Sequence, residues 1–380
     1  MSAHEPPTST LQATTIVHIV FLPIAAVLLA FLVYLYLAYP RRAAGASVAA
    51  PRWHDPRPRS LLPLLIAAAF TGMLSHVLNA LYISQSLPRT SNLDLHIPSL
   101  TFTPWLVLMT SATMMQHFPV ALLVAAILIV LRERYHALLH RVNEKGDWVP
   151  GPFLGWVGKQ GASMLITYLL FLLPIASRLT LSLGLTLNDS PLNLPTGVIA
   201  DSSSWDHMLN LFLIFENCRT GFLGIAVFDI VASSYCLYKE GGFWGVSDNV
   251  RLFRSSRSFK QTHSIYQITA TCLHLITPLL TAQAVQAIVS SFLVSATGPD
   301  ISTVSALDLA STSVVSVTNY LVIALLTFLF CTPHRWDLKI TPDSTVIRLG
   351  PLRLSEGDGN TLVDGEYPET PKNVIFRQTI

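Results

Sequence analysis

Seven stretches of this chain stay apolar for about 20 residues or more, and that repeated length leaves few folds open. They run Thr15 to Ala38, Leu61 to Ile83, Trp105 to Leu131, Ser163 to Leu183, Met208 to Tyr238, Ile268 to Val294 and Val304 to Cys331. A helix rises about 1.5 Å per residue, so each stretch can cross roughly 30 Å of hydrocarbon. Only a helix or a closed barrel satisfies its backbone there, and continuous apolar runs of this length select the helix. The expected fold is an all-α membrane protein of seven transmembrane helices. The chain then divides into a short disordered arm over residues 1–14, a helical bundle over 15–331 and a tail over 332–380.

Charge orders these spans. The first connecting loop holds Arg41, Arg42, Arg52, Arg57 and Arg59, and the third holds Arg132, Arg134, Arg141, Lys145 and Lys159. The fifth holds Lys239, Arg251, Arg254, Arg257 and Lys260, and the tail adds six more cations from Arg335 to Arg377. The second loop has Arg89 alone, while the fourth, the sixth and the N-terminal segment have none. Thus 21 of the 24 basic residues fall on one side, 1 on the other and 2, Arg178 and Arg219, inside spans. The positive-inside rule then puts the N-terminus outside or in a lumen and the C-terminus in the cytosol. The same pattern removes nucleic acid as a partner, because a net charge of +2 arranged by topology makes no basic face. With 51% hydrophobic and 12% charged residues, the chain is also far from the roughly 25% charged of soluble domains.

Smaller features follow from this frame. The first span is too long for a signal-peptide core and has no basic region before it, so it reads as a retained signal anchor. Cys218, Cys236, Cys272 and Cys331 all lie within spans, where no exterior disulfide forms, and no Cys/His spacing suits zinc. No metal or cofactor is called for. The exterior loop from Gly184 to His207 carries the one glycosylation sequon, Asn188-Asp189-Ser190, followed by Pro191. In the tail, Val346 to Leu354 nearly alternates and suits a small hairpin or no ordered structure. There is no internal repeat of the kind that builds transporters from duplicated halves.

Chemistry has to come from polar residues inside the spans, since an ionisable group in hydrocarbon costs a few kcal/mol and rarely persists without a role. The fifth span is richest, with Glu216, Asn217, Arg219 and Asp229. Glu216 and Arg219 are three apart and can neutralise each other on one helix face as a structural ion pair. Asp229 follows Arg219 by ten residues, too far for the same pairing. A carboxyl in a dry pocket there can hold a proton and give it to a substrate, or it can bond a neighbouring helix. Asp308 opens the seventh span at the exterior boundary, where it suits an interfacial cap, and Arg178 can snorkel outward from the fourth. His117 with Gln116, and His274 with Gln283 and Gln286, suit hydrogen bonds between helices, although two histidines on separate helices could also face one cavity. Pro174 and Pro278 should kink their helices and open space in the bundle.

Seven spans with an exterior N-terminus bring G-protein-coupled receptors to mind, and Glu133-Arg134-Tyr135 at the cytosolic end of the third span resembles their acidic-Arg-Tyr triplet. Other marks of that family differ. The seventh span has no Asn-Pro-x-x-Tyr, the sixth reads Cys272-Leu273-His274-Leu275, and no lysine in the seventh could hold retinal, which excludes an opsin. Pro333-His334-Arg335 resembles the ending of nematode chemoreceptors. A second resemblance rests on length, span count, short tail and an Ala, Leu, Pro, Ser and Arg bias. In these the chain resembles the seven-pass integral membrane proteins of fungal indole-diterpene clusters, of the paxilline and aflatrem type.

That resemblance implies a role in terpenoid secondary metabolism in the endoplasmic reticulum or another endomembrane. The protein would be a membrane-bound terpene cyclase or an accessory to one, beside other membrane-bound pathway enzymes and a prenylated hydrophobic substrate. Such cyclases are thought to protonate an epoxide or alkene with an intramembrane carboxyl, and Glu216, Asp229 and Asp308 are the candidates here. The receptor reading instead implies a chemosensor in the plasma membrane with a G protein as partner. The cyclase needs a closed apolar cavity with an unpaired acid. The receptor needs an exterior-facing pocket and a cytosolic cleft between the third, fifth and sixth spans.

Overall fold

A computed structural model describes residues 8–45, 58, 60–86, 102–143, 160–188, 202–239, 268–297 and 301–332. Each apolar stretch is helical: α1 (Thr8–Gly45), α2 (Leu61–Ser86), α3 (Phe102–Asn143), α4 (Gln160–Asn188), α5 (Ser202–Tyr238), α6 (Thr277–Thr297) and α7 (Ile301–Cys331). Seven helices are long and apolar enough to cross a membrane, and no strand occurs among the described residues. The sequon residues Asp189 and Ser190, residues 1–7 and the expected tail hairpin lie outside the described residues, while Asn188 closes α4.

The helices outrun the apolar stretches that announce them. Hydropathy marks where the chain meets hydrocarbon, whereas the backbone ladder continues until something breaks it. The arm expected over residues 1–14 is accordingly helical from Thr8 onward. The hydroxyls of Thr14 and Thr15 donate to the carbonyls of Thr10 and Leu11, one turn back, at 2.9 Å each. These polar side chains therefore satisfy themselves within the helix and do not end it.

The helices close a ring in chain order, each packed on the next and α7 returning to α1. Tyr82 near the end of α2 meets Trp105 near the start of α3, and Thr110 near the start of α3 meets Ser182 near the end of α4, so these neighbours run antiparallel. α3 sits inside the ring and also touches α5 and α7. Apolar surface gives little net attraction between helices in lipid, so close approach depends on small residues. Ala68 and Ala69 on α2, Ala121 and Ala126 on α3, and Ala226 on α5 are all essentially inaccessible. The outer surface is the reverse: Val27, Tyr168, Phe228 and Phe292 are each more than 60% exposed, a surface suited to lipid tails.

α6 begins irregularly. A π-helical turn, Cys272–Ile276, precedes Thr277, whose backbone N–H and side-chain hydroxyl both return to the carbonyl of Cys272. Pro278 explains this: it lacks an N–H for the carbonyl of His274, and its ring would press on that same carbonyl in an ordinary helix. Widening the turn before it relieves the clash. The proline expected to disturb this helix thus acts on the turn N-terminal to it.

Candidate functional site: two polar centres in one half of the bundle

The first centre is ionic and joins α3, α4 and α5. Glu216 on α5 accepts from Arg219 Nε at 2.9 Å on Oε2 and from Ser177 Oγ of α4 at 2.8 Å on Oε1, and Arg178 approaches within 3.6 Å. The local pair is the i,i+3 contact whose spacing is visible in the sequence. Arg178 comes from the preceding helix, α4, and turns inward, its guanidinium 5.2 Å from the centre of the Phe212 ring, instead of snorkelling outward. From α3, His117 interacts electrostatically with Glu216, Arg219 and Arg178, and its Nε2 is buried with no hydrogen-bond partner. Asp308 lies on the surface at the start of the seventh span and interacts with Arg178. One carboxylate held by two cations and a hydroxyl is an anchor between helices. Its oxygens are occupied by donors, which suits an ionised carboxylate and leaves it ill placed to give up a proton.

Asp229 stands apart from this group. It is further along α5 by about 20 Å at the rise of a helix. It is buried and accepts from Ser233 Oγ at 3.4 Å. The three carboxyls singled out in the sequence therefore do not converge on one site.

The second centre is neutral and joins α1, α2, α3 and α7, and of the residues around it only Gln116 was singled out in the sequence. His18 and His76 face each other with their Nδ1 atoms 2.9 Å apart, one necessarily the donor. Phe21 stacks on both His76 and Tyr320, at centroid distances of 5.9 and 5.8 Å. Beside them is a cavity of about 20 Å³, room for one water molecule, bordered by Ser75, Gln116, Thr312, Asn319 and Tyr320. Gly72 makes this packing possible, because a Cβ there would come within 3.1 Å of the Tyr320 hydroxyl. Thr312, Ser316, Asn319 and Tyr320 share one face of α7 at offsets of four, seven and eight, the one local signal that could have revealed the centre.

The other polar residues divide. Gln116 Nε2 donates to Thr312 Oγ1 at 3.3 Å and Gln283 Nε2 to Asn319 Oδ1 at 3.0 Å, so both tie helices together. Gln286 bonds Ser290 of its own helix, and His274 is exposed, edge-on to the Tyr238 ring, instead of bonding across the interior. At the far end of α3, Arg134 is 1% exposed and interacts electrostatically with Glu133 and with Cys272 in the π turn. All four cysteines are free, and no group of three or more His, Cys, Asp or Glu stands together among the described residues. Comparison of the chain with protein-family models, with curated proteins and with solved structures returns no match.

Proposed function

We propose that this protein is a seven-helix membrane sensor, receptor-like in construction, that takes its ligand in the half of the bundle holding both polar centres. The cation distribution supports reading that half as the exterior one. The observation that carries the reading is the course of α3. It places His117 against the ionic centre and, some 25 Å further along, Arg134 against the π turn of α6. Because α3 packs on α2, α4, α5 and α7, a ligand that engages His117 or Arg178 would be felt at Arg134 through one continuous helix, with Pro119 inside it. The irregular turn of α6 offers the deformable partner.

The test is nucleotide exchange on membranes bearing the protein and supplied with Gα subunits of the main classes. Exchange above control membranes, lost in Arg134→Gln, supports the reading. Exchange equal to control with every Gα class removes the G-protein form of it.

A second reading, a cyclase or accessory of terpenoid biosynthesis in an endomembrane, is favoured by Asp229, a buried carboxyl remote from the ionic anchor. It would bind a prenylated substrate beside other membrane-bound enzymes. Metabolite output from a reconstituted host decides this reading. Asp229→Asn or Asp308→Asn should abolish product at unchanged protein level, and parental yield from both variants would eliminate proton donation by these acids.

A further inference from the structure

Two imidazoles that meet nitrogen to nitrogen in a membrane interior carry a consequence beyond helix packing. His18 and His76 are 3% and 4% exposed, and their Nδ1 atoms point at each other across 58 residues of sequence. The His76 ring lies against Phe21 and Tyr320, and the His18 ring is tilted against His76, so the two nitrogens already face each other before any ligand arrives. Beside them lies a cavity of about 20 Å³. At its edge the Tyr320 hydroxyl is buried without a hydrogen-bond partner.

We propose that His18 and His76 form a binding site for a single monovalent copper ion, Cu(I), bound between the two Nδ1 atoms. Imidazole is a good ligand for copper and zinc, but charge separates the two. Neither histidine has a carboxylate as electrostatic partner. Without an anionic ligand the solvation cost of burying a doubly charged ion is roughly four times that of a singly charged one, since it grows with the square of the charge. Cu(I) also accepts two nitrogen ligands in a near-linear arrangement, which matches two opposed Nδ1 atoms. Binding needs no redox step and releases no proton: the Nδ1–H of the donor histidine moves to its Nε2, and both Nδ1 lone pairs face the metal. Metal–nitrogen bonds of about 2 Å require the nitrogens to move about 1 Å further apart than the 2.9 Å hydrogen bond. The adjoining cavity supplies that space.

The experiment uses the full chain in lipid nanodiscs under anaerobic, reducing conditions, titrated with Cu(I) against the chromophoric chelator bicinchoninate. The expected result is about one equivalent bound, with affinity lowered more than about tenfold in both His18→Phe and His76→Phe, which keep a ring in each position. X-ray absorption of the copper-loaded parent protein should show a nitrogen-only shell with imidazole scattering, a readout independent of how well the variants fold. Sulfur in that shell would assign the metal to cysteines and overturn the proposal. So would unchanged affinity in both variants, or zinc binding through the histidine pair without copper binding.

Discussion

The two polar centres occupy the same half of the bundle and solve the problem of a polar interior in opposite ways. The ionic centre concentrates charge: one carboxylate is held by two arginines and a serine contributed by adjacent helices. The neutral centre spreads hydrogen bonds and stacked rings over four helices and leaves a water-sized cavity. An ionic anchor tolerates no lost partner, because the remaining charge stays in a medium that solvates it poorly. A neutral network loses one bond at a time. That contrast sets the order of effects expected from substitution.

The largest effect should come from the ionic centre. Arg219→Ala leaves Glu216 short of its closest cation and should cost about 3 kcal/mol of bundle stability, and Glu216→Ala should cost at least as much by stranding two arginines. Changing both Glu216 and Arg219 to glutamine should recover much of the loss. Thermal unfolding of the purified variants in detergent measures this, and equal losses in single and double variants would show that the pair is not coupled.

Steric crowding of the neutral centre comes next. Gly72→Val drives a branched side chain toward the Tyr320 hydroxyl, 3.1 Å from where a Cβ would stand, and toward Pro119. With the Tyr320 ring held by Phe21 and His76, the cost should be about 1–3 kcal/mol in the same unfolding assay. A neutral result would mean that the rings can slide and that the cavity is not fixed. A lost hydrogen bond should be smaller still: Asn319→Leu removes the acceptor of Gln283 Nε2 and should cost about 1–2 kcal/mol.

The same contrast explains what could be read from the chain without its structure. Span number and helical character follow from apolar run length, a local property. The Glu216–Arg219 contact follows from a spacing of three on one helix. Ser177 and Arg178 as further partners of Glu216 depend on how α4 packs on α5, which no local pattern encodes. His18 and His76 lie in different apolar runs with nothing between them to signal contact, and each alone reads as an isolated polar residue in hydrocarbon. Reading the residues of α7 as a face would have exposed Thr312, Ser316, Asn319 and Tyr320, though not their partners. The early start of α1 was hidden for a different reason: residues 8–14 are too polar to lengthen the apolar run, yet they continue the helix, with the Thr14 hydroxyl bonding the preceding turn.

The central claim is that α3 links the ionic centre to the far end of the bundle, and thiol labelling tests it without knowledge of the ligand. Cys272 is fully buried beside Arg134, so its reaction with a membrane-permeant maleimide reports how tightly that end is closed. In a background carrying Cys218→Ser, Cys236→Ser and Cys331→Ser, His117→Phe should raise the labelling rate of Cys272 by at least about twofold at unchanged thermal stability, the lower bound of an ordinary coupling energy. A labelling rate that stays at the parental value, or that rises only in step with a loss of stability, would contradict the link through α3.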